Sequence, residues 1–328
     1  MSKTDIAKFN FEIEPEQPKW IVESLLPAGQ LCIFLAQAGV GKSLLVEDLA
    51  IHIVYGEPFG NFVTVEGDVL VIDQDTPTDI LTRRFIQFGK GINHKGIEHK
   101  KKYDLYVESM KGYSLADGTL MSVIKEYPTV KLVLIDSLHS VCGRLNPNYT
   151  SDMNMLAKLK EHCLTNDKTI IINHHISEKM ALSIDELMTS NSHIMAMGNS
   201  AIIQQADSYY IIGAISENGK TSKLYLRPVA KRISIKSTPI VLQIVKPGED
   251  SERFEYIGEY TPDLTGAESD MLVFFREQPQ DRTVKEAYEG IGHHHGEKVI
   301  RQSLAGLADK GLLVLSRHKS NLFRYRLP

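Results

Sequence analysis

At 328 residues, 42% of them hydrophobic and 24% charged, the chain can bury one large core and a second, smaller one without disulfides. Its net charge of -4 gives no global attraction to phosphate, and no run approaches the roughly 20 apolar residues that cross a bilayer. The N-terminus has no apolar signal core, and Cys32, Cys142 and Cys163 lie far apart without zinc spacing, so they read as free thiols in a reducing cytoplasm.

Residues 1–18 are polar and closed off by Pro15 and Pro18, which marks an arm ahead of the core. Leu31 to Ala36 is a short unbroken apolar run, the pattern of a strand covered on both faces. Similar runs recur at Asp68 to Ile72, Leu105 to Val107, Val130 to Ile135, Thr169 to Ile172 and Ser208 to Ile212. Helix-period segments lie between several of them, at Lys42 to Tyr55, Thr78 to Gly89 and Asp152 to Thr165. This alternation predicts an α/β fold with a doubly wound, mainly parallel sheet over residues 19–260. Short alternating strands at Lys223 to Arg227, Ile240 to Val245 and Phe254 to Tyr256 predict an antiparallel extension of it.

The strongest chemical signal is Ala36-Gln37-Ala38-Gly39-Val40-Gly41-Lys42-Ser43, placed after a buried strand and opening a helix. Small residues let consecutive N–H groups turn inward around a phosphate, and the helix N-terminus adds partial positive charge. Gln37 to Leu44 therefore read as the nucleotide cradle, with Lys42 on the β- and γ-phosphates and Ser43 on Mg²⁺. Ala36 stands where this pattern usually has Gly. Asp136, ending the apolar run from Lys131, has the form of the second carboxylate that fixes the metal's hydration shell.

Val69 to Pro77, followed by Arg83 and Arg84, resembles the segment after the second core strand in RecA-like hexameric ATPases of the plasmid RepA and DnaB helicase superfamily. The resemblance covers roughly residues 20–257 and implies a RecA-like domain that hydrolyses ATP. It puts Asp75 where relatives carry an acid, mostly Glu, that polarises the attacking water, with Asp73 as the alternative. A carboxylate there is expected on the strand beside the phosphate-loop strand. Asn173-His174-His175 looks like the family's paired-histidine strand end, which implies γ-phosphate sensing by His174 and His175. The stretch Glu178 to Ala196 corresponds to a channel-facing loop, and Met197 to Asp207 resembles the turn and helix that follow. Lys231 and Arg232 sit where such ATPases place basic residues that reach the neighbouring subunit's nucleotide, although a clean Lys-x-Arg is missing. They read equally well as a solvated basic edge.

Beyond Tyr260 a linker leads to residues 261–328, where three helical segments and a two-stranded ribbon outline a winged helix. From Lys298 to the end, Asp309 is the only acid among seven basic residues. The module is therefore expected to contact DNA backbone or, alternatively, a protein partner. His293-His294-His295 reads as a polar turn, since three successive side chains diverge. The expected protein is an oligomeric, hexameric replicative helicase or related motor with single-stranded DNA in its channel. The alternative is a non-translocating, ATP-regulated DNA-binding protein of the same fold.

Overall fold

The computed structural model describes residues 17–93, 100–146, 150–176, 183–189, 200–217, 220–230, 238–262, 264–291, 295–317 and 323–327. Most of the expected N-terminal arm lies outside them. A short ribbon, β1 (Trp20–Val22) and β2 (Leu26–Pro27), precedes β3 (Leu31–Ala36), all six residues of which are buried. The helix α1 (Lys42–Tyr55) follows, and Gly56 ends it with φ 67°, a left-handed stop that favours glycine. The chain continues through β4 (Val69–Asp73), α2 (Thr78–Ile92), β5 (Leu105–Ser109) and α3 (Thr119–Glu126). Next come β6 (Leu132–Asp136), α4 (Leu138–Val141), α5 (Thr150–Met153), α6 (Leu156–Asn166) and β7 (Thr169–His175). Then α7 (Ile184–Thr189) and α8 (Ser200–Gln205) precede four strands: β8 (Ser208–Glu217), β9 (Lys220–Ala230), β10 (Ile240–Val245) and β11 (Arg253–Glu259).

Among the described residues these strands form one nine-stranded sheet in the order β11-β10-β9-β8-β3-β7-β6-β4-β5. From β8 to β5 all pairings are parallel, and from β8 to β11 all are antiparallel. The mainly parallel sheet with an antiparallel extension is thus present, and it fits a RecA-like fold. One expectation fails. The strand ahead of Asp75 is not beside the phosphate-loop strand, because β7 and β6 stand between β3 and β4. A right-handed crossover can skip sheet positions, so chain order does not dictate strand order.

Alternation along each strand divides the core into two layers. Leu70, Ile72, Val133, Ile135, Ile170 and Ile172 pack in one cluster. Val69, Val71, Leu132, Leu134 and Ile171 pack with α1 in the other. Eleven of the fourteen α1 residues are buried, including Glu47, Asp48 and His52, because α1 is enclosed by the sheet, α2 and β11. Phe254 N donates to Asp48 Oδ2 at 3.0 Å, tying α1 to β11.

Residues 264–327 contain α9 (Gly266–Glu277), α10 (Val284–Gly290), α11 (Glu297–Asp309) and the antiparallel pair β12 (Val314–Arg317) and β13 (Phe323–Arg326). Capping boxes start α9 at Thr265 with Glu268 and α10 at Thr283 with Glu286. A separate apolar cluster, with Met271, Phe275, Ile300, Leu304 and Tyr325, lies wholly within this segment. Among the described residues no helix is long and apolar enough to cross a membrane.

Candidate nucleotide site

The loop between β3 and α1 turns on Gly39 and Gly41, at φ 73° and 105°, where a side chain would strain the backbone. A Cβ on Gly39 would meet nothing within 4 Å, so the turn opens onto free space. Ala38 and Gly39 are exposed, while Gln37, Val40, Gly41, Ser43 and Leu44 are half-buried. Thr221 Oγ1 donates to Val40 O at 3.3 Å, and Leu224 lies 3.8 Å from where a Gly41 Cβ would sit. The start of β9 therefore braces the loop from one side.

On the other side, the strand ends bring polar groups toward α1. Asp73, Asp136, Asn173 and His175 end β4, β6 and β7 with the parity of the α1-facing residues, and Asp73 lies opposite Asp136 in register. Each is the polar termination of an apolar run, so a half-turn of sequence phase puts all four on one face. Ser43 Oγ donates to Asp136 Oδ2 at 2.5 Å, and Asn173 Nδ2 donates to the same oxygen at 3.0 Å. The Asp136–Ser137 peptide is cis.

Lys42 is 6% exposed, and its ammonium reaches Gln37 O at 3.2 Å and His175 Nδ1 at 3.4 Å. Burial lowers its pKa, with the Asp136 carboxylate opposing. Burial likewise lowers the His175 pKa, helped by Lys42 and opposed by Asp136 and Asp75. His174, one residue earlier, takes the opposite parity with Ile170 and Ile172 and is buried. The two histidines thus part company: His175 meets Lys42, and His174 faces the other layer.

Asp75 is exposed beyond the end of β4. Its carboxylate accepts from Ser137 Oγ at 3.0 Å and from Ser140 Oγ at 2.6 and 2.7 Å. Asp73 Oδ1 instead accepts the N–H groups of Asp75 and Thr76 at 2.8 and 2.7 Å, shaping the turn that presents Asp75. Burial raises the Asp73 pKa, those N–H groups pull it down, and Asp136 adds to the rise. Lys231 and Arg232 lie outside the described residues, as does most of the stretch from Glu178 to Ala196.

Several groups here were not singled out from sequence. Ser137 and Ser140 hold Asp75, Asn173 holds Asp136, and Glu47 lies buried on α1 with Arg84 Nη1 at 3.0 Å. Burial pushes the Glu47 pKa up to about 8, Arg84 opposes this, and Asp73 and Asp136 add to it. Glu47 and Asp48 interrupt an otherwise apolar helix, a signal visible in the sequence. Of His293, His294 and His295 only the last is described, and its Nε2 lies 2.7 Å from Asp270 Oδ2.

The donor set suits a magnesium nucleotide. A buried ammonium hydrogen-bonded to a carbonyl and an imidazole suits a phosphate oxygen as its third acceptor, and a serine hydroxyl with a carboxylate is a hard-oxygen pair. Over residues 2–180 the chain matches the family model described as an AAA domain. No curated protein matches it.

Proposed function

Because the chain belongs to the AAA-domain family, P-loop ATPases found in RecA-like helicases and primases, we propose that it binds ATP with Mg²⁺ and hydrolyses it. The observation that carries this is the buried Lys42 ammonium beside the Ser43–Asp136 pair, at the mouth of a glycine turn. Mg²⁺, when bound, offsets charge on the phosphate oxygens. Lys42 and the loop N–H groups grip the β- and γ-phosphates, and Ser43 and Asp136 hold the cation. Asp75 accepts the proton of the attacking water, and Ser137 and Ser140 fix its orientation. His175, touching Lys42, reports the state of the γ-phosphate to β7 and the segment after it.

The finer reading is a DNA-associated oligomer, hexameric and helicase-like, with Lys231 and Arg232 reaching the neighbouring subunit's nucleotide and single-stranded DNA in the channel. Residues 261–328 then serve as a winged-helix module beside an ATPase domain of residues 19–260. In its favour, α11 exposes Lys298, Arg301 and Gln302 while burying Ile300, Leu304 and Leu307, and β13 carries Arg324 and Arg326. These basic groups suit phosphate contacts. A second reading, an ATP-controlled DNA-binding switch, is favoured by Asp75: its carboxylate is already engaged by the hydroxyls of Ser137 and Ser140 at 2.6 to 3.0 Å, which compete with an attacking water for the same oxygens.

The test is ATP turnover with and without single-stranded DNA, alongside strand displacement on a forked duplex and sizing with and without ATP. DNA-stimulated turnover with unwinding supports the motor. Nucleotide binding with negligible turnover supports the switch, and no nucleotide binding at all overturns both.

A further inference from the structure

Among the described residues, two buried acceptor oxygens around Asp136 have no partner. Glu47 stands one helical turn after Ser43 on α1, so the two side chains share a helix face. Its side chain is 3% exposed; Oε1 is taken by Arg84, but Oε2 is buried with no hydrogen bond. On the sheet side, Asn173 is 1% exposed and spends its Nδ2 on Asp136, leaving Oδ1 buried and unpartnered. Buried acceptors are rarely left this way, and a bound ion or ordered water is one of the usual partners.

Both orphans flank the carboxylate that pairs with Ser43. Asp136 is joined to Asn173 directly, and Glu47 is close enough to Asp73 and Asp136 to feel their charge. What satisfies such a pair is a donor that also offsets negative charge. Among the described residues no three His, Cys, Asp or Glu side chains converge to hold a metal directly. Magnesium keeps several of its waters when bound, and those waters are hydrogen-bond donors polarised by the cation.

We infer that Glu47 Oε2 and Asn173 Oδ1 are outer acceptors for the waters of the cation held by Ser43 and Asp136, one from α1 and one from β7. The inference rests on the magnesium nucleotide reading above. Arg84 has a defined part: by occupying Oε1 it leaves Oε2 as the remaining acceptor and ties Glu47 to α2, which follows the Asp75 turn.

The probe is Mn²⁺, titrated by electron paramagnetic resonance into the full chain with ADP, for the wild type, Glu47→Gln and Asn173→Ala. Glu47→Gln keeps the shape and an oxygen for Arg84 but puts an amide N–H donor in place of the second acceptor oxygen. Loss of an outer partner typically weakens metal binding by about 10-fold to 100-fold, and that loss is expected in both variants. ADP binding by Glu47→Gln in the presence of a chelator should stay at the wild-type value, which a structural fault spreading to the loop would not allow. Wild-type Mn²⁺ affinity in Glu47→Gln, or in Asn173→Ala should the former fail to fold, overturns the inference while leaving the ATPase reading intact. A wild-type chain that binds no Mn²⁺ with ADP overturns both.

Discussion

Asp48 is fully buried on α1, with its Oδ2 on Phe254 N and its side chain 3.7 Å from His52. Burial pushes its pKa up from 3.8 to about 8, against the pull of the Phe254 N–H and Arg253. The folded chain therefore holds this proton where the unfolded chain has released it. Between those two pKa values each unit rise in pH favours unfolding by about 1.4 kcal/mol, to a ceiling of ~6 kcal/mol across the window. His52 acts with the opposite sign: burial lowers its pKa to about 4, so its contribution is lost as pH falls below 6.5. From pH 6.5 to pH 8 only Asp48 of this pair changes stability. Asp48→Asn keeps an acceptor for Phe254 N and cannot ionise. Urea unfolding of both proteins across that range should show the wild type losing about 1 to 2 kcal/mol relative to the variant as pH rises. Glu47 titrates equally in both and cancels. Parallel stability curves would refute the reasoning, because they would mean that the carboxyl is ionised in the folded state.

Lys42→Ala should abolish nucleotide binding, read with a fluorescent ATP analogue, because it removes the buried ammonium that closes on the loop at Gln37 O. Unchanged binding would remove the assignment of the loop. Asp75→Asn should leave that binding intact and lower turnover by about 10²-fold to 10⁴-fold, the usual worth of a general base. Full turnover in this variant would move the role to Asp73 or elsewhere.

The fold was legible where local chemistry decides it. Leu31 to Ala36, Lys131 to Asp136 and Thr169 to Ile172 are apolar runs that become buried parallel strands, and Gly41 and Gly56 bound α1. Strand order was not legible, since whether β4 lies beside β3 or beyond β6 and β7 depends on which crossovers pack, not on either strand's composition. The short helices α3, α4 and α7 offered too few turns for a periodic signal. At the site, the phosphate loop and Asp136 announced themselves by spacing. The division between His174 and His175 was available in principle from strand parity, by counting back to the two isoleucine layers. The hold of Ser137 and Ser140 on Asp75 spans more than sixty positions in sequence and exists only once β4 and β6 are neighbours.

The burial of α1 on nearly every side has a mechanical corollary. A rod packed between two sheet regions and a second helix has little slack in which to slide or roll, so its end at the glycine turn would act as a fixed abutment. Were the glycine turn to shift on binding a ligand, the turns after β4, β6 and β7 and the brace at Thr221 would have to take up the displacement. On β9, whose start carries that brace, Arg227 donates to Leu187 O at 3.2 Å, so a shift of this strand would also be felt at α7.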